Sequence, residues 1–331
     1  MLHRIQRVHL ALLLPVLLSA CDRQDEALSP ALSPTPVQAV FQLDTSALSY
    51  GIFETDASSV TVEVSNTIPA VFSAFADISI DDGSTITAYK VKSGESTIVH
   101  SMPPGEKRVT LTSGAQTKSD DEITGVFINR IVFNGETQQI KQDNQRIAVY
   151  GDSITVGGNV DNLSAEAWPV LLRKYFSVVL EAYSYRSLQD DASTPEKRAE
   201  LVSRISAWEP DFIWLAIGAN DYSFEKWPSQ EFGQAYAGTL DAIHSSIPQA
   251  LLFAQSPILQ VNETPNSFGS NLESYRQQIA AACLARTAWC TFVDGTSAAF
   301  PQPYELDKDG VHLTTKSSAK YAEAVLNIIS K

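Results

Sequence analysis

Three short polar segments between residue 151 and the carboxyl terminus carry side chains that could together cleave an ester bond. Ser153 ends the segment Gly151-Asp152-Ser153, and Asp309 lies three positions before His312 near the carboxyl terminus. A serine hydroxyl becomes a good nucleophile when an adjacent base takes its proton, and that base needs a group that orients it. The residue types therefore predict Ser153 as nucleophile, His312 as base and Asp309 as the orienting carboxylate.

The third segment, Gly218-Ala219-Asn220-Asp221, offers an amide that could donate a hydrogen bond to a developing oxyanion. Removing one such donor slows catalysis by about 10²–10³. Taken singly, all three segments also fit local structural roles, because Asp, Ser and Asn commonly cap helices and form turns. Their occurrence together, in this order and each after a predicted strand, makes the catalytic interpretation the more specific one.

The other histidines are poorly placed to act as the base. His3 and His9 lie in the amino-terminal leader, His100 among predicted β-strands, and His244 inside a predicted helix. The sequence also lacks the His-Glu-x-x-His and clustered Cys/His patterns that are typical of zinc sites. We therefore expect no metal and no cofactor.

The elements that must position these residues alternate between strands and helices after about residue 145. The predicted strands are 147–150, 178–183, 212–217, 251–254 and 291–293, and the predicted helices are 164–176, 195–207, 229–246, 270–286 and 316–330. Strands that are apolar almost throughout, separated by helices, indicate a parallel sheet covered on both faces. Sites in such sheets form beyond the carboxyl ends of the strands, where Ser153 and Asn220 stand.

From about 39 to 143 the pattern is different. Short runs of alternating apolar and polar residues, among them 59–64, 85–91, 108–111 and 127–133, are separated by turn-forming residues. This period-two pattern predicts an antiparallel β-sandwich. We therefore divide the chain into a sandwich domain, 39–143, and a second domain, 144–331.

The amino terminus resembles a bacterial lipoprotein signal. Arg4 and Arg7 precede an apolar run that is shorter than the roughly 20 residues needed to span a bilayer. The run closes on Leu18-Ser19-Ala20-Cys21, which predicts a signal peptide over 1–20 and lipidation of Cys21; an ordinary signal peptide with a chance cysteine is the alternative. The rest of 21–38 is polar and proline-spaced, which predicts a flexible tether. The sequence thus predicts an exported, membrane-anchored lipoprotein that faces the periplasm or the cell exterior.

Two cysteines remain after Cys21. Cys283 and Cys290 flank a predicted helix-to-strand turn, and disulfides persist in exported proteins. A disulfide between them and a pair of free, buried thiols are both open interpretations.

The composition fits a globular protein with a large core. Of the 331 residues 44% are hydrophobic and 19% are charged, and the formal net charge is −14. An acidic chain without a dense cluster of Lys and Arg repels phosphate backbones. Nucleic acid is therefore not an expected partner.

Taken together, the three polar segments resemble the sequence blocks of the SGNH hydrolases, also called GDSL hydrolases. Gly151-Asp152-Ser153 matches the GDS box, Gly218-Ala219-Asn220-Asp221 the G-x-N-D box, and Asp309-x-x-His312 the last block, so that the resemblance covers about 146–331. It implies a flavodoxin-like three-layer α/β fold and ester hydrolysis through an acyl-serine intermediate. Because the base must be neutral to accept a proton, kcat/KM is expected to fall at acid pH.

One block departs from the family pattern. The family carries a glycine in its second block, whose N–H helps to stabilise the oxyanion, whereas residues 182–188 contain no glycine. Every residue except proline has a backbone N–H, and Tyr185 is the best match for the missing glycine. The resemblance thus implies Ser153, Tyr185 and Asn220 as oxyanion donors.

Three aromatic residues follow the Asn220 segment closely: Tyr222, Phe224 and Trp227. They are candidates for a sugar-stacking platform or for a wall of the acyl site. Packing in the core or at the rim of the site is the alternative.

The layout of the whole chain, a β-sandwich before a hydrolase domain, resembles that of two-domain carbohydrate esterases with a jelly-roll-like first domain. This resemblance implies an acylated carbohydrate as substrate, from which acetyl or other short acyl groups are removed. Two alternatives stay open. One is a lipid acyl esterase or lysophospholipase at the anchoring membrane, and the other is a non-catalytic carbohydrate-binding lipoprotein.

Overall fold

The computed structural model describes residues 39–43, 46–119 and 122–331, all of which belong to one compact unit. The predicted signal peptide (1–20) and the segment 21–38, with Cys21 and the tether, lie outside the described residues. None of the helices in the described part is both long and apolar enough to cross a membrane.

The described residues between 39 and 140 form a β-sandwich of two five-stranded antiparallel sheets. The strands are β1 (Ala39–Phe41), β2 (Tyr50–Thr55), β3 (Ser59–Asn66), β4 (Asp77–Asp81), β5 (Ile86–Lys90), β6 (Gly94–Ser101), β7 (Lys107–Thr112), β8 (Gln116–Ser119), β9 (Glu122–Phe133) and β10 (Thr137–Ile140). One sheet has the order β1-β9-β3-β6, with β8 also paired to β9, and the other has the order β10-β2-β7-β4-β5. A 3-10 helix, Ala70–Phe75, lies between β3 and β4.

The period-two pattern produces this sandwich because it directs every second side chain into the space between the sheets. In β3, Val60, Val62 and Val64 are completely buried. Phe53 of β2 and Phe133 of β9 come from opposite sheets, and their ring centroids lie 5.1 Å apart in the core. The predicted antiparallel sandwich is confirmed.

The remainder of the chain is a parallel sheet with helices on both faces. Its strands are β11 (Arg146–Gly151), β12 (Ser177–Ala182), β13 (Phe212–Ala216), β14 (Leu251–Gln255) and β15 (Cys290–Val293), in the order β12-β11-β13-β14-β15. The helices are α1 (Leu163–Glu166), α2 (Trp168–Leu171), α3 (Leu188–Ala192), α4 (Pro195–Ser206), α5 (Ala219–Ser223), α6 (Ser229–Ser246), α7 (Leu272–Leu284) and α8 (Thr315–Ile329). This arrangement confirms the flavodoxin-like three-layer fold. The proposed domain division after residue 143 falls between β10 and β11.

Each face of the parallel sheet has its own apolar core. On one face α1, α2 and α8 pack around Trp168 and Tyr321, whose rings stack with centroids 4.7 Å apart. On the other face α3 to α7 surround a cluster that includes Phe232, Tyr236 and Tyr275. Because both faces are covered, the strands are apolar almost throughout rather than alternating.

The prediction of a single helix over 164–176 is wrong. The structure has α1, α2 and a 3-10 turn (Leu172–Lys174) here, and Ala167 between the two α-helices is extended, with ψ 137°. Pro169 accounts for the interruption, because it lacks the N–H that the Ala165 carbonyl would need and its ring would collide with that carbonyl. The proline lies instead in the first turn of α2, where it is tolerated.

The sandwich contacts the segment that follows Ser153 in the chain. Asp77 Oδ2 accepts hydrogen bonds from the Ser164 N–H at 3.3 Å and from Ser164 Oγ at 2.9 Å. Lys90 Nζ donates to the Asp161 carbonyl at 3.0 Å. Strands β4 and β5 therefore hold the start of α1.

The sandwich also contacts the segment that precedes Tyr185. The Ser184 N–H donates to the Gln116 carbonyl at 3.1 Å, and the Lys118 N–H donates to the Ser184 carbonyl at 3.3 Å. Ser184 thus extends the edge of β8 by one parallel bridge. Both segments that surround the predicted site are supported from the sandwich.

Asp77 makes this support sensitive to pH. Burial raises its pKa to about 6, although Lys90 and Ser164 favour the ionised form, and its Oδ1 has no hydrogen-bond partner. Since the folded state holds the proton more tightly than the unfolded chain, ionisation destabilises the fold. Relative to Asp77→Asn, we expect the free energy of unfolding of the unmodified protein to fall by on the order of 1–3 kcal/mol between pH of about 4 and 7. Urea denaturation at several pH values measures this difference.

The exposed Asp143 provides the matched control, because Asp143→Asn changes charge without removing a buried carboxyl. The difference in free energy of unfolding between Asp143→Asn and the unmodified protein should stay nearly constant with pH. If the corresponding difference for Asp77→Asn is also independent of pH, the prediction is wrong.

Candidate active site

Ser153 lies in the turn that follows β11, at the carboxyl edge of the parallel sheet. The Thr155 and Val156 N–H groups donate to the Asp152 carbonyl at 3.0 and 3.1 Å, and the Ile154 N–H donates to the Asp152 carboxyl group at 3.0 Å. Burial raises the pKa of the Asp152 carboxyl group to about 6, although the hydrogen bond from the Ile154 N–H favours its ionised form. Ser153 is only half-buried, so the turn fixes its backbone and leaves its side chain accessible from the edge of the sheet.

The loop before α8 brings His312 and Asp309 to Ser153. His312 Nε2 lies 2.8 Å from Ser153 Oγ, and His312 Nδ1 lies 2.7 Å from Asp309 Oδ2. Helix α8 begins directly afterwards, with the Thr314 side chain accepting the Ser317 N–H as its cap. The structure therefore brings together the three residues that the sequence pattern selected, in the order serine, imidazole, carboxylate.

Hydrogen bonds hold Asp309 in its ionised form. Its partial burial alone would raise the pKa, but hydrogen bonds from the His312 N–H, the His312 ring and the Val311 N–H outweigh burial and lower the pKa to about 2. The two backbone N–H groups both lie 3.0 Å from Asp309 Oδ1. A carboxylate is thus available to orient the imidazole throughout the neutral pH range.

Close packing around His312 requires glycine at position 158. A Cβ atom there would lie 2.7 Å from His312 Cδ2 and 3.1 Å from the Ser153 carbonyl oxygen. The Gly158 N–H donates to that same carbonyl at 2.7 Å, so the chain folds back tightly after the nucleophile. The sequence pattern did not select Gly158; the available signal was the pair Gly157-Gly158 just after the GDS block.

The predicted oxyanion donors are Tyr185, in the loop after β12, and Asn220, at the start of α5 after β13. Tyr185 has φ 70°, in the left-handed region that glycine adopts most readily, which agrees with its placement where the family has a glycine. Asn220, in α5, donates from Nδ2 to the Arg186 carbonyl at 2.8 Å. One hydrogen bond therefore joins the start of α5 to the residue that follows Tyr185.

Arg186, which the sequence pattern did not select, anchors the loop of Tyr185. Its side chain is completely buried and donates to Asp191 Oδ2 at 2.6 Å, to Glu181 Oε1 at 2.8 Å and to the Glu181 carbonyl at 2.6 Å. Its guanidinium carbon also lies 4.5 Å from the ring centroids of Tyr150 and Tyr183. A buried charge is tolerated when it is paired and hydrogen-bonded, so these partners fix the backbone next to Tyr185.

Asp221 connects the same two loops from the other side. It is completely buried, and its carboxyl oxygens accept the Leu188 and Gln189 N–H groups at 2.9 and 3.2 Å, at the start of α3. Burial raises the pKa of Asp221 to about 7, while these hydrogen bonds act in the opposite direction. The residue therefore positions the Asn220 segment rather than facing solvent.

The three aromatic candidates have different environments. Tyr222 is buried and donates to the Thr264 carbonyl at 2.7 Å, and Trp227 is half-buried against the core on its face of the sheet. Phe224 is 47% exposed, and its ring centroid lies 5.8 Å from that of Tyr185, which is 42% exposed. Tyr185 and Phe224 thus form an exposed aromatic pair beside the predicted oxyanion donors.

Cys283 and Cys290 form a disulfide between the end of α7 and the start of β15, with Cα atoms 5.5 Å apart. It lies on the face of the sheet covered by α3 to α7.

Among the described residues, no group of three or more His, Cys, Asp or Glu side chains is arranged to hold a metal ion.

Residues 149–319 match the model of the GDSL-like lipase/acylhydrolase family. The chain belongs to this family. The matched range is more than half of the chain and contains Ser153, Asn220, Asp309 and His312. As a member of the GDSL family the protein is a carboxylic ester hydrolase. No curated protein sequence matches it significantly.

Solved structures show the same fold over most of this GDSL-family chain. A salicylyl-acyltransferase from a tetracycline biosynthetic pathway has a TM-score of 0.67 and 16% identity, over 85% of this chain and 82% of its own. A family two carbohydrate esterase from Cellvibrio japonicus has a TM-score of 0.63 and 18% identity, over 88% and 90%. An acetyl xylan esterase from the rumen bacterium Butyrivibrio proteoclasticus has a TM-score of 0.61 and 14% identity, over 90% and 96%. At these identities the likeness describes the fold.

The Gly158 contact leads to a test of the site geometry. A methyl group at this position would push the His312 ring away from Ser153, and a displacement of about 1 Å at a reacting group can slow catalysis by about 100-fold. We expect Gly158→Ala to lower kcat for an aryl acetate by roughly 10- to 100-fold with little change in melting temperature. Steady-state kinetics and thermal unfolding measure the two effects.

Gly238→Ala is the matched control, since Gly238 lies in α6 against the flexible end of Arg198. It should leave kcat unchanged. Equal kcat values for both variants and the unmodified protein would show that Gly158 does not set the position of the imidazole.

Proposed function

We propose that this protein is a serine esterase that removes acetyl or other short acyl groups from carbohydrate through an acyl-serine intermediate. The observation that carries the proposal is the continuous contact from Ser153 Oγ to His312 Nε2, 2.8 Å, and from His312 Nδ1 to Asp309 Oδ2, 2.7 Å. These are the contacts that proton transfer from a serine nucleophile requires.

In the proposed reaction, His312 Nε2 accepts the Ser153 proton as Oγ bonds to the ester carbonyl carbon. Asp309 keeps its hydrogen bond to Nδ1 and stabilises the imidazolium that forms. The proton on Nε2 then passes to the departing alcohol oxygen as the ester bond breaks and leaves the acyl group on Ser153. Water next gives a proton to His312 and attacks the acyl carbon, after which Ser153 regains its proton and the acid is released.

The negative charge on the carbonyl oxygen is assigned to three donors: the Ser153 N–H, the Tyr185 N–H and the Asn220 amide. An Asn amide has two N–H bonds, and the hydrogen bond to the Arg186 carbonyl uses one of them. The other is available for the oxyanion. Because buried hydrogen bonds of Arg186 and Asp221 fix both loops, these donors need little reorganisation during the reaction.

Two observations favour carbohydrate as the alcohol portion. The structural neighbours with the same two-part fold include a family two carbohydrate esterase and an acetyl xylan esterase. The exposed pair of Tyr185 and Phe224 is a surface of the kind on which the apolar face of a sugar ring packs. Export and lipid anchoring through Cys21, as the leader sequence predicts, are part of the same proposal.

Hydrolysis of p-nitrophenyl esters from acetate to decanoate tests the reaction and the acyl preference together. We expect cleavage of acetate to exceed that of octanoate and decanoate, and Ser153→Ala to lower kcat/KM by roughly 10⁴ or more because it removes the nucleophile. Ser101→Ala, at an exposed serine of the sandwich, is the control and should retain full activity. A preference for long chains would favour the lipid esterase instead, and turnover that does not depend on Ser153 would refute the mechanism.

Phe224 tests the carbohydrate part of the proposal. Loss of one aromatic contact of about 0.5–1.5 kcal/mol should lower kcat/KM of Phe224→Ala for an acetylated sugar by about 3- to 10-fold, with a smaller effect on a simple alkyl acetate. Tyr175→Ala is the control, because Tyr175 is similarly exposed but precedes β12 at the opposite end of the sheet. Equal losses on both substrates would remove the support for sugar packing.

A further inference from the structure

The carboxylate that orients the base lies close to solvent. The side chain of Asp309 is 37% exposed, and its Oδ2 accepts the hydrogen bond of His312 Nδ1 at 2.7 Å. Water competes for the oxygens of an exposed carboxylate, so one hydrogen bond to the imidazole does not by itself keep such a side chain in place. Other donors must restrict Asp309 if it is to orient His312.

Three donors other than the imidazole reach this carboxylate. Oδ1 accepts the N–H groups of Val311 and His312 from its own loop, both at 3.0 Å. The third donor is Asn159, whose Nδ2 lies 2.7 Å from Asp309 Oδ2. Asn159 comes from the other loop, six positions after Ser153. It donates to the same oxygen that accepts the hydrogen bond of the His312 ring.

The backbone places Asn159 for this contact. Its φ is 70° and that of Gly157 is 84°, so the chain reverses sharply after the nucleophile, and the Gly158 N–H closes the turn on the Ser153 carbonyl. Asparagine tolerates the left-handed region better than most residues with a side chain. The turn thus directs an amide toward the last loop of the domain.

Both N–H bonds of the Asn159 amide face carboxylates. The second acceptor is Asp307 Oδ2, at 3.0 Å from Nδ2. Two carboxylates at one site repel each other, and a neutral group that donates to both offsets this repulsion without adding charge. An acid in place of Asn159 would remove both donors and add a third negative charge.

We propose that Asn159 is a positioning residue that holds Asp309, and through it the His312 ring, in register with Ser153. The inference rests on the proposed function, since it concerns the same serine, imidazole and carboxylate. Three hydrogen bonds join Ser153 to His312, His312 to Asp309, and Asp309 to Asn159. The backbone of the turn after the nucleophile connects Asn159 back to Ser153.

Two variants distinguish the effect of the Asn159 amide from that of the backbone conformation at this position. Asn159→Gly keeps a residue suited to φ 70° and removes the amide. Asn159→Asp keeps the size of the side chain and replaces the donors by charge. We expect Asn159→Gly to lower kcat about 3- to 30-fold with KM for p-nitrophenyl acetate nearly unchanged, because orientation rather than ester binding is lost.

Asn159→Asp should in addition move the acid limb of the kcat/KM profile to higher pH, because added negative charge favours the protonated imidazole. The double variant Asn159→Asp with Asp307→Asn removes the extra charge and should reverse part of that move. Asn129→Asp, at an exposed position of the sandwich, introduces the same charge far from the loop and should change neither kcat nor the profile.

Proton NMR of the full-length chain gives a reading that does not depend on turnover. The Nδ1 proton of His312, hydrogen-bonded to a fixed Asp309, should give a downfield resonance that broadens in Asn159→Gly. Variants that match the unmodified protein in kcat, pH profile and this resonance would overturn the inference. The two proposals can fail separately. If the resonance broadens in Asn159→Gly but turnover does not depend on Ser153, the positioning role is supported and the esterase proposal is refuted.

Discussion

The geometry of the candidate site depends on one hydrogen bond, 2.8 Å long, between His312 Nε2 and Ser153 Oγ, two residues that lie 159 positions apart in the chain. The parallel sheet makes this contact possible because β11 ends at the edge where the loop before α8 also passes. Strand pairing brings the two loops to the same edge, whereas a displacement of about 1 Å at a reacting group can slow catalysis by about 100-fold. The remaining alignment is left to the loops, through the tight turn at Gly158 and the hydrogen bonds around Asp309.

The β-sandwich contributes to that alignment. It contacts the chain between Ser153 and α1 through Asp77 and Lys90, and it contacts the chain before Tyr185 through β8. Loops on a surface gain little stability from their own backbone hydrogen bonds, since water offers alternatives. Contacts to a second rigid layer reduce this freedom. The sandwich and the sheet therefore act as one unit around the site, which agrees with the compactness of the described chain.

Buried charge has a specific place in this arrangement. Arg186 pairs with Asp191 behind the loop of Tyr185, and both side chains are buried. Pairs of this kind add little net stability, because desolvation offsets most of the attraction, but an alternative loop conformation would leave a buried charge without its partner. They thus favour a single loop conformation. A site that stabilises an oxyanion needs donors held in place before the charge appears.

The sequence by itself determined the sandwich, the parallel sheet and the selection of Ser153, Asn220, Asp309 and His312. Alternation and apolar runs are local signals, and the carboxyl ends of parallel strands necessarily meet at one edge. The division of the expected helix at Pro169 is also a local signal, which the helix prediction overlooked. What the sequence did not reveal is that Gly158, Asn159 and Arg186 belong around the site. Nor did it reveal which of Tyr222, Phe224 and Trp227 is exposed. Those features depend on which loops meet and how their backbones turn. Tertiary packing alone decides this, because the partners are far apart in the chain and each contact exists only when both loops have already taken their path.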